Sequence, residues 1–228
     1  MSDIYHFLFV KGGLIMYPII IGSVLALGVF LERLWSLRRE RVIPASFRSR
    51  VRALVRAGKL SEAEVLCQEN TSSLAAIIHA ALQEAGKPRK EIKEAVTDVG
   101  RREVTHLERF VDLLGTIAAV EPLMGLLGTV TGLIRAFQKV EALKNTVNPS
   151  ALAGGIWEAL ITTAAGLIVA IPAYIGYRYL LSRVSQLVVD MEEDSLEIAK
   201  LIAASRGKDA SKSKDAPVED GDEDEEDE

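Results

Sequence analysis

The chain has 228 residues, 49% of them hydrophobic and 26% charged, and a mean hydropathy of +0.18. This composition excludes a disordered or collagen-like chain, and the clustering of apolar residues in three long runs argues against an ordinary soluble domain. The formal net charge of −5 comes from residues 206–228, which hold 4 basic and 11 acidic residues. The nearly neutral remainder argues against a bulk nucleic-acid binder.

The first apolar run covers residues 12–31 and contains no charged side chain. As a helix it would be roughly 30 Å long, which is the thickness of the hydrocarbon core of a bilayer. It is too long for the apolar part of a typical signal peptide, and no small-residue cleavage motif follows it. We therefore predict a short periplasmic N-terminus over residues 1–11 and an uncleaved transmembrane helix over residues 12–35.

Residues 36–110 have the pattern of a cytoplasmic helical domain. Gly58 is predicted to end one helix, and Ser61 with Glu64 has the spacing of a capping box that begins the next. From Arg89 onward, apolar residues recur at helical spacing without a strong breaker before the second apolar run. This spacing predicts one long helix that continues into the membrane.

The second and third apolar runs cover residues 113–134 and 159–177. We predict transmembrane helices over residues 111–137 and 151–179, with a periplasmic loop at 138–150 between them. A cytoplasmic C-terminal helix is predicted over residues 180–205, and a disordered acidic tail over residues 206–228. Basic residues are concentrated after the first and third runs, which places the N-terminus outside and the C-terminus in the cytoplasm.

The second run carries a polar stripe that begins at a glutamate. On a helical wheel, Glu121 shares one face with Gly125, Gly128, Thr129 and Gly132. The glycines favour close packing against another helix. Glu121 and Thr129 fit either a buried polar pair within that packing or the lining of an ion pathway.

The third run has a similar polar face. Glu158 and Thr162 are four residues apart, Gly166 lies close to the same face, and Thr163 lies further round. A threonine in a membrane helix often only bonds a carbonyl of its own preceding turn. Two adjacent threonines beneath a carboxylate nevertheless favour an ion-conducting lining.

The second apolar run contains Pro122 and the third contains Pro172. Each removes one backbone hydrogen bond, so each predicts a kink in its helix.

Two segments carry a resemblance to a known family. Residues 115–134, GTIAAVEPLMGLLGTVTGLI, and residues 155–173, GIWEALITTAAGLIVAIPA, resemble the second and third spans of the MotA/TolQ/ExbB proton-channel family. The three-span topology and the cytoplasmic helices are similar to the ExbB/TolQ branch. The resemblance implies an all-α inner-membrane subunit that forms a ring, five-fold in the family, around two copies of an ExbD/TolR-like single-span subunit.

The resemblance also implies site residues and a role. The family's pore residues fall on Thr129, Glu158 and Thr163, beside an aspartate that the partner carries. The implied role is an ion channel subunit, for protons first, of a motor that couples the proton motive force to work at the cell envelope. A TonB/TolA-like or gliding-machinery component is a further partner that the resemblance leaves open, together with membrane lipid.

Three features depart from the family pattern. Glu121 stands where the family usually has a small apolar residue, and Thr162 stands where alanine is common. This added polarity leaves both H⁺ and Na⁺ open as the conducted ion. The acidic tail is the third departure.

Two other classes of function compete with this interpretation. A non-conducting membrane scaffold would use the same glycines and would pair Glu158 with another helix. An enzyme is not expected, because no nucleophile, base and orienting group occur together. Neither a cofactor nor a metal is expected, since the nucleotide and hydrolase signatures are missing and the three histidines are scattered.

Overall fold

The computed structural model describes residues 14–142 and 149–214. Within those ranges the regular secondary structure is entirely helical, which confirms the predicted all-α fold. The helices in chain order are α1 (Met16–Ser36), α2 (Arg39–Val42), α3 (Ala45–Arg56), α4 (Leu60–Gln68), α5 (Ser73–Gln83), α6 (Arg89–Ala142) and α7 (Pro149–Lys214).

Three of these helices, α1, α6 and α7, are long and apolar enough to cross a membrane. Helix α1 and the parts of α6 and α7 that lie within Val104–Val188 belong to one compact unit. Only 17%, 28% and 33% of their respective apolar windows are buried within the chain. Large side chains such as Leu27, Leu126 and Ile168 point outward. A soluble bundle would bury such residues, so this surface suits contact with lipid or with neighbouring subunits.

Helices α6 and α7 each remain helical through an internal proline. Pro122 lies inside α6 and Pro172 lies inside α7. Each proline lacks the N–H that would bond the carbonyl four residues earlier, so one carbonyl per span has no intrahelical donor. The kinks themselves remain predictions.

The second compact unit is built from the described residues of Val42–Glu103 and of the chain from Val189 onward. In it, α3 packs on α4, and α4 packs on α5. The core contains Phe47 and Val51 of α3 and Leu74 and Ile78 of α5, all fully or nearly fully buried. Gly58 adopts a φ of 77°, which a side chain would disfavour, and it ends the turn after α3 as predicted.

The predicted capping box at Ser61 is wrong. A cap at Ser61 would start the helix at Glu62, but α4 begins two residues earlier, at Leu60, with Lys59 in the N-cap position and no side-chain cap. An ion pair of 2.8 Å between Lys59 and Glu62 lies at this end of the helix. A side-chain cap is found instead at the start of α5, where the Ser72 hydroxyl oxygen accepts a hydrogen bond of 3.3 Å from the backbone N–H of Ala75.

The ends of the two long helices differ from the sequence expectation. Helix α6 ends at Ala142 and α7 begins at Pro149, so the segment between them is shorter than the predicted loop over 138–150. Proline suits the first position of a helix, because its missing N–H has no partner there anyway. Helix α7 continues to Lys214, into the stretch for which composition predicts disorder. Residues 1–13, 143–148 and 215–228 lie outside the described residues, and so do most of the predictions for the N-terminus and the tail.

Candidate functional site

The glycine stripe of α6 lies directly against α7. A methyl group added at Gly128 would lie 2.6 Å from the Cβ atom of Thr162. One added at Gly132 would lie 3.0 Å from the Cβ atom of Ala159, and one at Gly166 would lie 2.7 Å from the carbonyl oxygen of Glu121. Such distances leave no room for a side chain, so the backbones of the two spans approach as closely as glycine permits.

A hydrogen bond crosses this contact at Gly125. The Thr163 hydroxyl on α7 donates to the Gly125 carbonyl oxygen on α6 at 2.9 Å. This hydroxyl is therefore directed at the neighbouring helix. A methyl group at Gly125 would lie 3.1 Å from the Cα atom of Thr163, so the absence of a side chain there permits the approach.

The other two predicted threonines bond within their own helices. Thr162 is 1% exposed, and its hydroxyl donates to the Glu158 carbonyl at 2.8 Å. Thr129 is half-buried and donates to the Leu126 carbonyl at 2.7 Å. Both hydroxyl oxygens keep acceptor capacity after donating, because a hydroxyl has two lone pairs.

Glu158 lies beside a cation that the sequence analysis did not single out. One carboxylate oxygen of Glu158 is 3.8 Å from an Nη atom of Arg135, and the two side chains are 35% and 49% exposed. Arg135 follows Gly128 by seven residues, so it falls on the same face of α6, and that spacing could have identified it.

A small cavity of about 10 Å³ lies at this ion pair. That volume is close to the minimum that a single water molecule needs. Its lining residues come from α6, α7 and the residues preceding α1: Leu14, Ile15, Gly128, Thr131, Gly132, Arg135, Glu158 and Thr162. The cavity brings a carboxylate, a guanidinium and two hydroxyls together at one end of the α6–α7 contact.

The structure places Glu121 against a different helix. The residue is 4% exposed, and its Oε1 atom lies against Gly22 of α1, where any side chain would overlap it. Within the described part of the chain, the Oε2 atom is buried without a hydrogen-bond partner. Glu121 thus shares the α6 stripe with the glycines but directs its carboxyl at α1.

Comparison with known proteins identifies relatives of this chain. The profile of the MotA/TolQ/ExbB proton channel family matches residues 69–193. The biopolymer transport protein ExbB-like 1 of Synechocystis is 35% identical over 185 residues, covering 78% of this chain and 71% of its own. The Tol-Pal system protein TolQ of Haemophilus influenzae is 44% identical over 89 residues, or 39% of each chain.

A solved structure, that of C. jejuni MotAB, shares the fold. It superposes with a TM-score of 0.60 over 95% of this chain and 87% of its own, at 21% sequence identity. This likeness concerns the arrangement of the helices alone.

Proposed function

The chain belongs to the MotA/TolQ/ExbB proton channel family, and from this premise we propose that it is the ring-forming channel subunit of an inner-membrane motor. The subunit passes protons between its α6–α7 surfaces and the single span of an ExbD/TolR-like partner. The motor converts the proton motive force into work at the cell envelope. One charge that crosses 100 mV releases about 2.3 kcal/mol, so several charges suffice to drive a conformational step.

The observation that carries this proposal is the Thr163–Gly125 hydrogen bond. It places a hydroxyl oxygen and a backbone carbonyl oxygen together within two apolar spans. Polar oxygens at this depth are costly unless they face a partner or a water path. Thr163, with Thr129 and Thr162 as the neighbouring hydroxyls, would relay or coordinate the ion.

Glu158 and Arg135 would control the outer end of the pathway. Their separation of 3.8 Å and their partial exposure leave the carboxylate accessible from the water side. A carboxylate at a channel entrance raises the local concentration of cations. Arg135 would limit that attraction and keep Glu158 oriented beside Thr162.

The exposed apolar surfaces of the spans support assembly into a ring. Two thirds or more of each apolar window is not buried within one chain, so lipid and neighbouring copies must cover it. We propose a homopentamer around two partner helices, each carrying an aspartate. The N-terminus would face the periplasm and the C-terminus the cytoplasm, since basic residues flank the cytoplasmic ends.

The test is proton flux in proteoliposomes that contain the full chain and its co-purified single-span partner. Thr163→Ala and Glu158→Gln should each lower flux while the complex still assembles. Thr116→Ala is the matched control, because among the described residues the exposed Thr116 hydroxyl bonds only the Asp112 carbonyl of its own helix, at 3.0 Å. Replacing the proton gradient with a sodium gradient determines the conducted ion. Equal flux in all variants, with assembly intact, would refute the roles of Thr163 and Glu158, whereas flux no higher than in protein-free liposomes would favour the non-conducting scaffold.

A further inference from the structure

The carboxyl of Glu121 occupies a notch formed by a glycine of another span. Its Oε1 atom and its Cδ atom lie so close to Gly22 of α1 that no side chain fits at that position. Ile117, one turn before Glu121 on α6, is the other neighbour of Gly22. The residue is 4% exposed, and within the described residues its Oε2 atom accepts no hydrogen bond.

This notch lies near the middle of the bilayer. Gly22 is at the centre of the uncharged run 12–31. At about 1.5 Å per residue, Glu121 is roughly 14 Å from the level of Asp112 and roughly 21 Å from the level of Arg135 on its own helix. The charged residues nearest to this level along the three helices are Glu32 and Arg33 on α1, Asp112 and Arg135 on α6, and Glu158 and Arg178 on α7. The tyrosines on the same helices are Tyr17, Tyr174 and Tyr177.

Four of these charged groups pair with one another at the ends of the spans. Arg33 bonds Glu32 at 2.5 Å and lies over the Phe110 ring, and Arg135 lies beside Glu158. An ionised Glu121 would therefore lack a counter-ion at bilayer depth, which is costly, whereas a protonated carboxyl carries no net charge.

We propose that Glu121 is a proton-binding site between α6 and α1, and that it holds its proton while α1 packs against it. Release of the proton places an unpaired charge against Gly22 and weakens the attachment of α1. The site is separate from the Glu158–Arg135 cavity and does not depend on conduction through Thr163. The failure of one proposal therefore leaves the other standing.

An apolar carbodiimide is the probe for such a site. The carboxyl transfers its proton to one carbodiimide nitrogen while its oxygen adds to the central carbon, which gives an O-acylisourea. Where water is excluded, the acyl group migrates to nitrogen and leaves a stable N-acylurea, so no atom is lost. The full chain in lipid nanodiscs, without any ion gradient, is treated with dicyclohexylcarbodiimide and mapped by peptide mass spectrometry.

We expect an adduct on Glu121 that disappears in Glu121→Gln. Labelling should decline toward alkaline pH, with about a tenfold loss per pH unit once the proton has left. A water-soluble carbodiimide should instead label the half-exposed Glu158 and spare Glu121. The absence of an adduct on Glu121, or equal labelling of it by the water-soluble reagent, would overturn the proposal.

A second measurement tests the notch itself. Gly22→Ala should lower the thermal midpoint of the protein and change the rate of carbodiimide labelling. Gly28→Ala should do neither, because no atom lies within 4 Å of a methyl group added at Gly28. Adding Glu121→Ala to Gly22→Ala should restore the midpoint, since the clash is removed. A Gly22→Ala variant that matches Gly28→Ala in both measurements would contradict the seating of Glu121 against α1.

Discussion

The hydroxyl of Thr163 and the carbonyl oxygen of Gly125 are 2.9 Å apart, and this hydrogen bond joins two spans whose polar atoms otherwise bond mainly within their own helices. The bond requires a donor on α7 and a residue without a side chain on α6. It therefore links the two features that the sequence shows separately, the threonine pair and the glycine stripe.

Thr163→Val should lower the stability of the full chain in detergent by about 1 kcal/mol, the usual value for a hydrogen bond between spans. Valine keeps the shape but leaves the Gly125 carbonyl without its interhelical donor. Thr163→Ser should retain most of the stability, because it keeps the hydroxyl. Thr116→Val is the control, and a loss there equal to that of Thr163→Val would refute an interhelical contribution. Thermal unfolding monitored by circular dichroism gives the comparison.

The close approach at Gly128 should tolerate no added carbon. Gly128→Ala places a methyl group 2.6 Å from the Cβ atom of the buried Thr162, so the helices must separate. We expect a loss of about 1–3 kcal/mol, as for other overpacked contacts. Gly154→Ala should cost nothing, since a methyl group there meets no atom within 4 Å. Equal midpoints for the two variants in thermal unfolding would contradict the packing.

The sequence predicted the spans and the glycine stripe because both depend on local patterns. Apolar runs of sufficient length require a membrane, and glycines at helical spacing require a close neighbour. Which helix that neighbour is depends on the tertiary structure, and a local sequence pattern does not show it. Gly125, Gly128 and Gly132 face α7, yet Glu121 on the same stripe directs its carboxyl at Gly22 of α1.

Other parts of the site and fold were missed for identifiable reasons. Arg135 continues the face of Gly128 and Gly132 but lies beyond the apolar run, so the polar stripe predicted from that run did not include it. The pairing of Arg48 with Asp194 joins residues 146 positions apart, and no local pattern indicates it. The roles of Thr129, Thr162 and Glu158 remain predictions.

The Arg48–Asp194 pair should be a main support of the unit that contains α3. Arg48 donates to both carboxylate oxygens of Asp194, at 3.1 and 3.0 Å, and Asp194 is 6% exposed. Arg52 adds a contact to Asp194 at 3.8 Å and also bonds Glu197. The pair thus joins α3 to the part of α7 that belongs to the same unit.

Asp194→Asn should therefore destabilise this unit by about 2 kcal/mol, in the range for hydrogen bonds to charged groups. Hydrogen exchange of the α3 amides in the full chain measures the local opening. Glu94→Gln is the control, because the ion pair that Glu94 makes within residues 14–142 and 149–214 is an exposed contact of 3.9 Å with Lys90. Unchanged exchange in Asp194→Asn would show that the pair does not hold α3 in place.

The single cysteine offers a test of the packing between α4 and its neighbours. Burial, and secondarily the Glu64 carboxylate, raises the pKa of the Cys67 thiol from 9.0 to about 12. At neutral pH the native thiolate should be about a thousandfold scarcer than in the unfolded chain, since each pKa unit is a factor of ten. Alkylation should be slow in the native protein and should still rise with pH above 9, where the thiol of an unfolded chain has largely ionised.

The same pKa shift makes the free energy of unfolding depend on pH. The thiol of the folded protein keeps its proton to a higher pH than the thiol of the unfolded chain. Its contribution to the free energy of unfolding is therefore fully present below about pH 9 and is lost as the pH rises toward 12. Cys67→Ser combined with Gln68→Cys is the control, because residue 68 is exposed and its thiol should react at an ordinary rate. Native Cys67 that reacts as fast as this control near neutral pH would show that the packing around α4 opens readily in solution.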